Sequence, residues 1–297
     1  FQINDTLTIP NPIEGAGLLA EAIQPAVVKT GIGTLNLIGT NTYLGSTTIQ
    51  SGTLNLNGTL FSNMQIEPAG LLSGNATING TIYNSGQIAP GSSTSTISTF
   101  NLFSLPSSVY SIDIDPTSAG LLKVTGAATL GGTLQVTLNP GSYPDMGQYL
   151  IVQTSNGFFG TFDSISVESP SGFEFSVEKE GNNLYLSYQL LPAPPPPCHV
   201  RGKQKKHRSS KRVNEITWSP QELEPRPVAY QIYRKDLKHL VAVVTAKKKL
   251  KFKDYIDAKD KATHKYHIVS IANQQKASSP PVTIKVKPNK KLNKRRR

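Results

Sequence analysis

Residues 31–56 read GIGTLNLIGTNTYLGSTTIQSGTLNL, and their internal repetition decides the fold. Gly33-Thr34-Leu35-Asn36-Leu37 returns as Gly52-Thr53-Leu54-Asn55-Leu56, an offset of 19 residues. Looser echoes stand at Gly80-Thr81-Ile82 and Gly132-Thr133-Leu134-Gln135-Val136. Each unit alternates Leu or Ile with a polar residue and is bounded by Gly, Asn or Ser, the pattern of a short strand between tight turns. One such strand cannot bury its apolar side alone, but stacking similar coils buries it against the coils above and below. Leu35 and Leu37 then point inward, with Thr34 and Asn36 outside. An antiparallel sandwich of short hairpins shares the same period of two and is the alternative.

Composition agrees with many short strands. Hydrophobic residues make up 37% of 297, and Gly (24) and Pro (21) are abundant. The net charge of +12 hides two unlike halves. Residues 1–198 hold three Lys, no Arg and twelve acids, a net of −9; residues 199–297 hold 28 basic residues and seven acids, a net of +21, with all five His. Such a split marks two modules. The single cysteine, Cys198, excludes an internal disulfide framework and a multi-cysteine zinc site. No stretch approaches the roughly 20 apolar residues of a membrane helix. The chain begins at Phe1 rather than Met and reads as a fragment or a processed product.

Past the repeats, the strand candidates at 109–114, 121–125, 133–138, 148–153, 173–177 and 184–190 are longer and richer in aromatics. A stack of coils needs an atypical end, because its last coil would otherwise expose a bare core and an open edge. Residues 109–190 are therefore expected to cap repeats that occupy 1–108. Pro192-Ala193-Pro194-Pro195-Pro196-Pro197 lies in a linker at 191–197 that favours extended polyproline II. Strand candidates at 198–202, 213–218, 228–234, 240–245, 249–254, 265–272 and 282–287 number seven, the count of an immunoglobulin-like sandwich over 198–287. Residues 288–297 carry six basic residues and no acid and read as a disordered tail.

Residues 31–56 resemble the autotransporter-associated β-strand repeat, with Asn41, Tyr43, Gly45, Thr47, Ile49 and Gly52 in register with its pattern. Residues 79–92, NGTIYNSGQIAPGS, resemble a later coil of such passengers. Leu122-Lys123-Val124-Thr125-Gly126 and Gly160-Thr161-Phe162 resemble the stabilising C-terminal region sometimes called an autochaperone. The resemblance implies a right-handed parallel β-helix, a cell-surface, outer-membrane-associated or extracellular location in a bacterium, and frequently adhesion. In the second module, Ile216-Thr217-Trp218-Ser219-Pro220, Tyr230-Gln231-Ile232-Tyr233-Arg234 and Tyr266 with Ile268 and Ser270 resemble the B, C and F strands of a fibronectin type III domain. Such domains serve mostly as spacers or recognition modules. A passenger is expected to precede a translocating β-barrel, whereas Lys-rich strands such as Lys247-Lys248-Lys249-Leu250-Lys251-Phe252-Lys253 suit a lipid face poorly. Export by another route is the resulting expectation.

The sequence offers little chemistry. Carbohydrate-active β-helices need clustered carboxylates, often with Lys or Arg, yet residues 31–110 contain one acid, Glu67, and no base. Asp113 and Asp115 are two apart and share one face of a strand. No Gly-x-Ser-x-Gly, P-loop or His-Glu-x-x-His occurs. His264 and His267, three apart on a strand, face opposite ways, and Cys198-His199 is isolated. No catalytic residue, cofactor, metal or small-molecule substrate is therefore expected. The basic module is the suggestive feature. Lys203, Lys205, Lys206, Arg208, Lys211 and Arg212 follow the linker, Lys247, Lys248 and Lys249 form a run, and Lys290, Lys291, Lys294, Arg295, Arg296 and Arg297 end the chain. These are the candidate anion-binding residues, for lipopolysaccharide phosphates, anionic glycans or nucleic acid, with a host surface protein as another partner. A solvated basic face is the bland alternative. The functional readings are thus a non-enzymatic surface or secreted adhesive or display protein, a polyanion-binding module on a stalk, and a carbohydrate-active enzyme.

Overall fold

Leu35 and its repeat partners stand in one column. In a computed structural model, the structure describes residues 1–14, 26–43, 45–168, 172–206, 211–221, 223–235, 239–246, 250–257, 263–272 and 275–284. The chain divides into two compact units, Phe1–Leu190 and Leu191–Arg297. Every regular element among the described residues is a β-strand.

In the first unit, Thr34–Asn41 runs parallel to Thr47–Leu60, with Leu35 opposite Leu54 and Leu37 opposite Leu56. The column continues through Leu72 of Met64–Gly74, Ile88 of Gln87–Pro90, Tyr110 of Val109–Asp115, Leu134 of Thr133–Leu138 and Ile165 of Ser164–Val167. On its other side Leu7, in Thr6–Ile9, pairs with Leu35. A second parallel ladder aligns Thr47, Met64, Ile82, Leu102, Ala128 and Phe158. A third aligns Ala76, Ile97, Leu122 and Val152. The three ladders join in one 18-stranded sheet, an arrangement consistent with a β-helix passenger. Leu35, Leu37, Leu54, Leu56 and Leu72 are fully buried in a shared core. Burying a Leu side chain contributes about 1.5–3 kcal/mol, so the repeat supplies its own cohesion.

The polar half of the repeat also has a task. Asn55 Nδ2 donates to Asn36 Oδ1 (3.0 Å), and Asn36 Nδ2 to Thr8 Oγ1 (3.0 Å), so the outer Asn side chains form a ladder of their own. At the corners, the side-chain oxygens of Asn57, Asn63, Asn75 and Asn101 accept the backbone N–H groups of Asn75, Thr81, Thr96 and Ala127, each on a following coil. Bends have backbone donors that no strand satisfies, and Asn supplies the missing acceptors. Gly52 takes φ +69°, and a Cβ there would run into the carbonyl oxygens of Gly31 and Gly33. Lys29 is fully buried near this bend. Its Nζ donates to the carbonyls of Thr30 (3.0 Å), Gly31 (2.7 Å) and Ser51 (3.0 Å), and burial lowers its pKa.

The parallel ladders run on past residue 109, where the sequence places the start of the cap. Residues 109–115 and 133–138 keep the inward alternation and so continue to stack. Antiparallel pairing appears first in a short turn, where Ser118-Ala119 folds back on Ile114-Asp115, and then at length in Met146–Thr154, which pairs with Asn183–Leu190, itself paired with Phe173–Glu180. Tyr188 is the hub of this end: Tyr149 stacks on it at 5.5 Å, and Phe173 meets it edge-on at 5.3 Å. Tyr149 Oη donates to the Asp115 carbonyl and Tyr143 Oη to the Ile114 carbonyl, both at 2.7 Å, fastening the aromatic layer to the coil below.

In the second unit, Cys198–Lys206, Lys211–Ser219 and Leu250–Asp257 form a three-stranded antiparallel sheet. Leu240–Thr245, Ala229–Arg234, His264–Ala272 and Gln275–Ser278 form a second antiparallel sheet, with Val282–Ile284 also on His264–Ala272. The final strand is thus broken in two around Ser279-Pro280-Pro281, because proline has no N–H to give a ladder. Ile216, Trp218 and Leu250 of the first sheet share a core with Tyr230, Ile232, Tyr266 and Ile268 of the second. Asn214 Nδ2 donates to Tyr266 Oη (2.9 Å), which donates to Asp254 (2.6 Å), where Arg234 also binds (3.0 Å), tying the two sheets together. Pro195 is no free spacer: its carbonyl accepts the Ser270 hydroxyl at 2.8 Å.

Candidate functional site

The three-stranded sheet has one face in the core and one outside. Ile216, Trp218, Leu250 and Phe252 face the core, so period-two alternation sends the odd-numbered residues outward. The register then arranges them as a grid. Arg201 lies opposite Thr217, and Thr217 opposite Lys251; Lys203 opposite Glu215, and Glu215 opposite Lys253; Lys205 opposite Val213, and Val213 opposite Tyr255. Neighbours are about 4.8 Å apart across the strands and about 7 Å along them. These three rows carry five cations and one carboxylate.

Glu215 sits at the centre on the outward phase of its strand, and its side chain is only 5% exposed. Lys251 lies 3.0 Å from its carboxylate, Lys205 3.1 Å and Lys203 3.6 Å. Hydrogen bonds from Lys251 and Lys205 hold its pKa down at about 2. Three ammonium groups around one carboxylate leave two charges uncompensated. Like charges so close repel, and a further anion on the face would relieve that repulsion. Tyr255 adds an exposed ring at one corner.

Of the residues singled out from sequence, Lys203 and Lys205 lie on this grid and Lys211 on its margin, opposite Asp257. Arg212 does not: it falls on the other phase of its strand, and its Nη1 is enclosed. The side chain of Lys206, and all of Arg208, Lys247, Lys248, Lys249, Lys290, Lys291, Lys294, Arg295, Arg296 and Arg297, lie outside the described residues. Arg201, Lys251 and Lys253 were missed. Their signal was present as the alternation Lys251-Phe252-Lys253 against a core phenylalanine, but it needed a register to place it beside Lys203.

Asp113 and Asp115 do share an outward face of Val109–Asp115. Burial first, then the charges of Asp115 and Glu168, raises the Asp113 pKa. Asp115 is lowered by hydrogen bonds from Ser93 and Asn139, which occupy both of its oxygens. Asp115 is therefore a fastener between coils. Cys198 opens its strand, with Sγ 3.5 Å from the Ser219 carbonyl. No group of three metal-ligating side chains occurs among the described residues. No helix among them is long and apolar enough to cross a membrane, which says nothing of β-barrels. Elsewhere, Tyr83 and Phe103 stack one coil apart at 5.5 Å on the outer side of the second ladder.

Comparison with known proteins places a class on this ladder. Residues 27–56 match the model of the passenger-associated transport repeat, so the chain carries an autotransporter-passenger repeat in the coils that hold Leu35, Leu37, Leu54 and Leu56. Two extracellular serine proteases of Serratia marcescens are 48% identical to it, one over 46 residues (16% of this chain) and one over 44 (15%). The chain spans 4% of the length of each. A glycoside hydrolase domain, Endo-D of Streptococcus pneumoniae R6, superposes over 34% of this chain and 16% of its own with 15% identity and a TM-score of 0.23, too low for a shared fold.

Proposed function

We propose that this chain belongs to a bacterial surface or secreted protein in which a capped, right-handed parallel β-helix displays a fibronectin type III-like module, and that its role is non-enzymatic adhesion or surface display. The passenger repeat at residues 27–56 carries this reading. Support comes from the uninterrupted parallel columns above it and from the two relatives, which are extracellular by name. Their protease activity does not transfer, since the likeness is confined to about one-sixth of this chain. The strand order of the second unit, three strands on one side and the rest on the other around Trp218 and Tyr266, supports the fibronectin-like reading. Protease shaving of intact producing cells tests the location. Peptides from both units should be released, or the protein should be recovered from the medium; full protection until lysis overturns it.

A second reading, a polyanion-binding module on a β-helix stalk, is favoured by the cation grid around Glu215. Retention of the protein on a polyanion resin that releases it with salt would support it, because surface charge pairing is screened within about 10 Å at 0.1 M ionic strength.

A further inference from the structure

We propose that the outward face of the three-stranded sheet binds a linear anionic polysaccharide, through Arg201, Lys203, Lys205, Lys251 and Lys253 with Tyr255 at the corner. This rests on the polyanion reading and deepens it by naming the surface and the class of polymer.

The face has two rails. Arg201, Lys203 and Lys205 point outward from one strand, and Lys251 and Lys253 from another, with the central strand between them. Successive cations on a rail are about 7 Å apart and the rails about 10 Å apart. The array thus extends in two dimensions, which suits a chain bearing a charge on each of several units better than one isolated anion. Glu215 pre-positions three of the ammonium groups, so part of the side-chain ordering is complete before the ligand arrives. Arg201 and Lys253 have no ion-pair partner among the described residues and add two further positive charges to the face.

Other polyanions fit less well. Single-stranded nucleic acid is held by aromatic platforms that stack successive bases, and this grid offers one ring, Tyr255. An anionic membrane calls for apolar side chains that enter the interface, and apart from Tyr255 the outward positions of the grid are charged, Thr217, or the buried Val213. A sulfated or carboxylated glycan needs neither: it presents fixed charges on a hydroxylated backbone, and Tyr255 can lie against a sugar ring.

The full chain is titrated with a size-defined heparin fragment, with single-stranded DNA of matched charge, and with phosphatidylglycerol vesicles, at low and at physiological salt. The variant R201Q/K203Q/K253Q removes three cations from the face. The control K123Q/K265Q/K276Q removes the same charge from exposed strand positions off this face. Heparin should bind more tightly than DNA or vesicles, and affinity should fall as salt rises. The face variant should lose about tenfold or more in affinity, against less than about threefold for the control, with both retaining the wild-type fluorescence of Trp218. Equal loss in the two variants overturns the surface, because net charge would then do the binding. Tighter binding of DNA or of vesicles overturns the choice of polymer while leaving the polyanion reading standing. Failure to bind any of the three probes overturns both.

Discussion

Leu54 stands directly over Leu35 in parallel register, one coil and 19 residues further along the chain. Both side chains are fully enclosed, and their polar neighbours Asn36 and Asn55 are hydrogen-bonded on the outer side of the same two strands. A single repeat therefore closes on the next through two ladders, one apolar and one polar.

Truncating that column should be costly. Leu54→Ala removes a side chain with Leu35 on one side and Leu72 on the other, and a buried Leu→Ala change costs about 2–5 kcal/mol. The denaturant midpoint of the first unit, followed by circular dichroism, should fall accordingly. The emission of Trp218, the chain's only tryptophan, reports the second unit and should keep its midpoint. A shift in both midpoints would show that the units unfold together.

Gly52→Ala should be worse than its single methyl group suggests. The residue sits at φ +69°, and the added Cβ meets backbone oxygens of Gly31 and Gly33 and the Nζ of Lys29, none of which is a mobile chain end. A left-handed non-glycine residue costs roughly 1–2 kcal/mol, to which the clash adds. The same change at Gly181, also at positive φ but with open space around it, should cost only the backbone preference. Comparing the two melting temperatures separates crowding from conformation.

Tyr266→Phe tests the polar tie between the sheets of the second unit. Its hydroxyl takes the Asn214 amide and donates to Asp254, and Asn214 is wholly buried. Losing the hydroxyl strands that amide, and an unsatisfied buried donor costs about 1–3 kcal/mol. A lower urea midpoint in Trp218 fluorescence is expected, with unchanged emission from the native state.

Glu215 makes the second unit acid-sensitive in a defined window. Its folded pKa of about 2 lies below the ordinary 4.5, so the ionised form is favoured by folding. That contribution is present in full above 4.5 and is lost as pH falls from there to about 2. The difference in stability between wild type and Glu215→Gln, read from urea midpoints across that range, should shrink steadily as the solution is acidified. A constant difference would show that the three lysines do not stabilise the carboxylate.

The repeat at 33–37 and 52–56 was enough to place leucines inside and asparagines outside, because an alternation of period two with glycine at the bends admits few arrangements. The charge division near residue 198 falls close to the boundary between the two compact units. Where parallel stacking gives way to long antiparallel pairing was not legible, since residues 109–138 satisfy both a stacking strand and a longer closing strand, and only pairing with the strands before them decides. The cation grid was legible only in part. Lys203 and Lys205 stood out as a basic run, but Arg201, Lys251 and Lys253 join them through two antiparallel registers that link positions about fifty residues apart. Arg212, equal to its neighbours in sequence, is turned the other way by the same alternation. Local pattern determines which side of a strand a residue takes; which strands then lie side by side, and so whether scattered lysines become one surface around Glu215, is decided by long-range pairing.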